Sequence, residues 1–261
     1  MKGILFYFLV NVVGYYGVAI PLLIFRRKTR LIFNPSFWLI SFIFLILIAL
    51  ERGIYFHQFV FDRSSNYLEG LYLYKILANL KGIAVYIIPL FILKSIHDKN
   101  SKVLYGLRTK NAFLRPFVFM LLIVLPLVGW ASFQPDFQVT YPIFKPWLYP
   151  HVFGLQSWLA TIIFEAAYSI DFIMLELIFR GALVIGMASI LGKDAVLPMV
   201  SVYVMIHFGK PLAETISSAF GGYILGVIAL GLRNIWGGVF IHVGLALMME
   251  VAALLQHFVR N

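Results

Sequence analysis

The chain contains no cysteine. Disulfides, thiolate nucleophiles and cysteine-ligated zinc are therefore excluded, although this says nothing about which compartment its loops face. Charge is also scarce, at 12% of 261 residues against 62% hydrophobic, and acidic residues are the scarcer kind, 11 against 21 Lys and Arg. A water-soluble domain needs more polar surface than that. Long apolar runs take its place, and a run of roughly 20 such residues is enough to cross a bilayer as a helix.

The expected class is all-α: a polytopic membrane protein of about eight transmembrane helices in one bundle. The expected spans are 3–25, 36–51, 71–94, 116–133, 156–191, 195–208, 212–232 and 235–258. Residues 1–154 form a four-helix membrane region with an outer loop, and residues 155–261 a core of four helices, within one structural domain. Strands are not expected, because lipid demands that backbone groups be satisfied internally. The first run is not read as a cleavable signal peptide, since it is long, lacks a small-residue cleavage site and has its basic cluster behind it.

Basic residues set the orientation. Arg26, Arg27, Lys28 and Arg30 follow the first run, and Lys94, Lys99, Lys102, Arg108, Lys110 and Arg115 form a second stretch, with Glu51, Asp62 and Glu69 between the two. This places both basic stretches in the cytosol and, with eight crossings, both termini outside. The positive excess serves topology and attraction to anionic lipid, so the bilayer is a partner and nucleic acid is not. Residues 134–154 carry four prolines and several aromatics and are expected to form an irregular outer interfacial loop. Ser218, Gly222 and Gly226 recur every four residues, a pattern that lets a neighbouring helix approach closely.

Ionisable side chains inside the apolar runs cost at least ~2.5–3.5 kcal/mol each on insertion scales and normally face a protein interior. Here they gather in the last third of the chain: Glu165, Asp171, Glu176 and Arg180 on the fifth span, His207 at the end of the sixth, His242 and Glu250 on the eighth. Glu176 and Arg180 are one helical turn apart and neutralise each other. Two imidazoles with carboxylates can hold zinc or activate a water for attack on an amide. Lys210 and Glu214 are spaced for an ion pair.

These residues resemble the motifs of the CPBP intramembrane proteases, which include the CAAX prenyl endopeptidases and the bacteriocin-immunity (Abi) proteins, over roughly residues 155–258. The first motif, two Glu followed by three residues and Arg, is similar to Leu175-Glu176 with Arg180-Gly181. The second, Phe with His four residues on, is similar to Tyr203 and His207, and the third, His with Asn or Asp four residues on, to His242 and Ala246. The chain departs from the pattern at Leu175, where the family has its first Glu, and at Ala246, where it has Asn.

The resemblance implies an eight-helix fold, a bacterial cytoplasmic membrane location and hydrolysis of a peptide bond in a membrane-associated or lipidated peptide. In that scheme Glu and His activate water and the third-motif pair steadies the oxyanion. Asp171 lies four residues before Leu175, and Glu250 four after Ala246. A site displaced outward by one turn is therefore expected. It would use Asp171 or Glu176 as base, His207 and His242 as metal ligands or orienting groups, Glu250 as the fourth group, and Arg180 and Tyr203 as stabilising neighbours. The cofactor is zinc or none. The alternative is a fold that has lost hydrolysis and binds a peptide, lipid or regulatory partner.

Overall fold

The computed structural model describes residues 3–97, 104–107 and 115–260. Lys99, Lys102, Arg108 and Lys110 of the second basic stretch lie outside the described residues. Of the described residues, 83% are helical.

In chain order the helices are α1 (Ile4–Phe25), α2 (Pro35–Gly53), α3 (Phe56–Asp62), α4 (Tyr67–Gly82), α5 (Ile88–His97), α6 (Arg115–Ala131), α7 (Pro135–Thr140), α8 (Ser157–Glu176), α9 (Ala188–Leu191), α10 (Val196–Met205), α11 (Leu212–Leu232) and α12 (Trp236–Arg260). Their ends follow local chemistry. Asn34 accepts the amide hydrogen of Ser36 at 2.9 Å, with Pro35 in the first turn of α2. Asn234 accepts that of Trp236 at 2.7 Å ahead of α12. Arg233, with φ 51°, closes α11 in the left-handed conformation.

Among the described residues, six helical runs are long and apolar enough to cross a membrane: Ile4–Phe25, Pro35–Asp62, Tyr67–Ile96, Ser157–Met205, Leu212–Leu232 and Trp236–Val259. Arg115–Ala131 is apolar but shorter. The 49-residue run Ser157–Met205 would measure roughly 74 Å as one straight helix, more than twice the hydrocarbon thickness of about 30 Å. It is interrupted instead at Gly192, whose φ of 60° and ψ of −134° suit glycine alone.

Two compact units make up the chain. The first comprises Met1–Ile54, Gly82–Ala112 and Met174–Gly238, and the second Tyr55–Lys81, Phe113–Ile173 and Val239–Asn261. Each draws on both the 1–154 and the 155–261 regions.

In the first unit, α1 packs on α2 and α10, and α10 on α11. The small-residue stripe of α11 supplies that last contact. A Cβ on Gly226 would fall 2.8 Å from Met199 Cε, and one on Gly222 3.0 Å from the ring of Tyr203. The other side of α11 exposes Leu212, Ile216, Phe220 and Val227, small residues inward and large apolar ones outward, as lipid-facing helices require. Asp194, which is buried, accepts Lys28 Nζ at 2.7 Å and so ties the end of α1 to the turn before α10.

Residues 177–186, which were expected to continue an α-helix, are wound as a π-helix. Its i→i+5 bonding has a visible partner. Cβ atoms on Gly181 and Gly186, five residues apart, would both meet Tyr105, the first at its carbonyl oxygen and the second at its ring. Wider winding brings residues five apart onto one side, where the two glycines make room for this aromatic residue.

In the second unit, the proline-rich stretch is more ordered than its composition suggested. Pro135 opens the short helix α7. The expectation of no strands fails locally: β1 (His151–Val152) and β2 (Leu155–Gln156) pair antiparallel across Phe153 and Gly154, with φ of 52° and 72°. Two consecutive positive φ values fit a tight hairpin turn, and its backbone groups bond within that turn. Phe144 stacks on Tyr149 and Phe164, and the Tyr72 hydroxyl donates to Ala160 O at 2.9 Å.

Candidate functional site

The first unit assembles four of the residues singled out from the sequence. Glu176 and Arg180 are both 0% exposed, and Arg180 Nη1 lies 2.9 Å from Glu176 Oε1. Charges so far from water are held only when paired. The guanidinium lies over the ring of Tyr203, its Cζ 4.4 Å from the ring centre. Phe179 meets the same ring edge-on at 5.2 Å, and His207 packs against it at 4.5 Å between centroids. The order Glu176, Arg180, Tyr203, His207 is therefore a continuous line of contact across the π-helix, α10 and the turn beyond it.

Close packing holds the line in place. A Cβ on Gly238 would collide with the Glu176 carboxylate, so that carboxylate rests against bare backbone. Gly222 presents the same kind of flat surface to Tyr203.

The His207 ring is fixed in orientation. Its Nδ1 lies 2.8 Å from the carbonyl oxygen of Tyr203. A carbonyl only accepts, so Nδ1 carries the hydrogen and Nε2 carries the lone pair of the neutral ring. The backbone on either side is tied as well. Thr215 Oγ1 donates to His207 O at 2.9 Å, and Arg52 Nη2 to Ile206 O at 3.1 Å.

No family model, no characterised protein and no solved structure matches the chain. The chemistry of these residues is therefore the basis for any functional reading.

The other expected site residues, Asp171, His242 and Glu250, belong to the second unit, as does Glu165. His242 stacks on Phe172, the rings 5.8 Å apart and 14° from parallel. Both oxygens of the buried Glu250 accept the amide hydrogen of Ile143, at 2.9 and 3.1 Å. Lys75 Nζ donates to the carbonyl oxygen of that same residue at 2.9 Å. An acid from α12 and a base from α4 thus grip both backbone groups of one loop residue. Among the described residues, no group of three or more His, Asp and Glu side chains is arranged to hold a metal ion.

Sequence reasoning missed Arg52, Thr215, Gly238 and the bond that Lys75 makes. Arg52 left a signal, as a lone cation at the edge of an apolar run. Thr215 and Gly238 left none, because their partners are set by packing.

Proposed function

We propose that this protein is an intramembrane endopeptidase of the CPBP kind, hydrolysing a peptide bond in a membrane-associated peptide with His207 as the general base. The observation that carries this reading is the Nδ1 to Tyr203 O bond, which leaves Nε2 as the basic nitrogen of a buried ring in line with the Glu176–Arg180 pair. In this scheme Nε2 takes a proton from water as the oxygen attacks the scissile carbonyl carbon. The same proton then passes to the leaving amine as the C–N bond breaks. Glu176 and Arg180 anchor Tyr203, and Tyr203 seats the imidazole. The eight-crossing topology, with Arg115–Ala131 as the fourth crossing and a break at Gly192 separating the fifth from the sixth, belongs to this reading, as does residence in a bacterial cytoplasmic membrane.

The test is cleavage of a library of membrane-anchored peptides by purified protein in liposomes. Wild type is expected to cleave, and His207→Gln, which cannot serve as a base, to lose the activity while remaining folded. Wild-type protein that cleaves no member of the library would overturn the proposal.

A second reading has its own support. Leu175 and Ala246 are apolar where the resembled motifs have Glu and Asn, and both oxygens of Glu250 are engaged by Ile143. A protein that binds a peptide without cutting it fits those three facts. It predicts peptide affinity in the wild type, unchanged in His207→Gln, with no cleavage in either.

A further inference from the structure

His207 stands two residues beyond the end of α10, in a tight turn, so the helix does not by itself fix its ring. The last carbonyls of a helix have no partner within it and carry partial negative charge, and a cation placed there both donates to them and steadies that end. Arg52 supplies such a cation from the last turn of α2. Its Nη2 donates to Ile206 O across 154 positions of sequence, and its Cζ lies 5.8 Å from the ring centre of Tyr7 on α1. The carbonyl it holds belongs to the peptide unit that leads directly into His207.

We infer that Arg52 is a positioning residue for His207. By holding the Ile206 carbonyl it keeps the turn from Tyr203 to His207 wound, and only a wound turn brings Nδ1 within reach of Tyr203 O. Arg52 thereby sets which imidazole nitrogen carries the hydrogen. Thr215 holds the carbonyl on the other side of His207, so the residue is pinned at both of its flanking peptide units. The inference rests on the proposed function for what Nε2 does, but not for how the ring is held.

The experiment is nitrogen NMR of the full-length protein labelled with ¹⁵N-histidine in bilayers, with the His207 signals assigned by their loss in His207→Gln. Wild type is expected to show a protonated Nδ1 and an unprotonated Nε2. Arg52→Met, of similar length but without donors, is expected to move both signals toward the average of the two tautomers. Arg52→Lys, which keeps a donor, should restore much of the wild-type pattern. Arg52→Leu replaces the Met variant if that one does not fold. Signals at His207 unchanged in the donor-less variant would overturn the inference.

Peptide cleavage is followed in parallel. A misplaced base should lower kcat on the order of a hundredfold, with KM unchanged. A nitrogen shift in a protein whose wild type cleaves nothing supports the positioning role and removes the hydrolytic reading. Cleavage by wild type, combined with an unmoved His207 in Arg52→Met, does the reverse.

Discussion

Both carboxylate oxygens of Glu250 accept the amide hydrogen of Ile143, a residue 107 positions earlier in the loop that follows α7. Irregular backbone packed inside a protein is tolerated only where other groups satisfy it. Glu250 and Lys75 do so for the two polar groups of Ile143, which explains why two ionisable side chains lie in otherwise apolar spans.

Glu250→Ala should therefore destabilise the protein by about 1–3 kcal/mol, the usual cost of leaving a buried donor unmatched. Glu250→Gln, which retains an acceptor oxygen, should lose less. Thermal unfolding in detergent, followed by Tyr and Trp fluorescence, orders the three proteins. Equal Tm values for the Ala and Gln variants would contradict the assignment.

For Glu176 and Arg180 the expected signature is non-additive. Removing either charge alone leaves the other buried and uncompensated, at a cost of about 3–5 kcal/mol. Removing both, as in Glu176→Gln with Arg180→Met, should cost clearly less than the sum of the single changes. A double-mutant cycle on unfolding free energy measures the difference, and additivity would mean that the ion pair is not an energetic unit.

Gly238→Ala places a methyl group against a carboxylate that Arg180 prevents from swinging away. Overpacking of this kind costs about 1–3 kcal/mol. The diagnostic result is relief by a second change. With Glu176→Ala in the background, Gly238→Ala should become nearly neutral, and a persistent penalty would place its cause elsewhere.

Asp194→Asn tests the tie between α1 and the turn before α10. The buried carboxylate would become a neutral amide facing Lys28 and Arg26. A lower Tm is expected, partly restored by Lys28→Gln, and a Tm insensitive to both changes would show the contact to be idle.

Much of the fold was legible because periodicity and run length are local properties. The first span was read as 3–25 and forms Ile4–Phe25, and the seventh, read as 212–232, forms Leu212–Leu232. The stripe of Ser218, Gly222 and Gly226 marked the face of α11 that meets α10, and the Lys210–Glu214 pair forms at 2.6 Å. What escaped depends on partners remote in sequence. Nothing near Lys75 or Glu250 announces that each will hold Ile143, and nothing near Arg52 points to Ile206. The hairpin at Phe153–Gly154 was hidden by its brevity. At the candidate site, spacing announced the Glu176–Arg180 pair and set Tyr203 four residues before His207, while the contact of Arg180 with Tyr203 and the orientation of the imidazole needed coordinates.

The π-wound stretch Leu177–Gly186 changes what a length mutation means in this protein. Deleting one residue there gives the chain a way to relax to ordinary winding, with everything after the deletion keeping its place. The same deletion in α11 would turn one side of the helix away from its neighbour. Tolerance of shortening, mapped position by position, should therefore be high within this buried stretch, where tolerance of substitution is low.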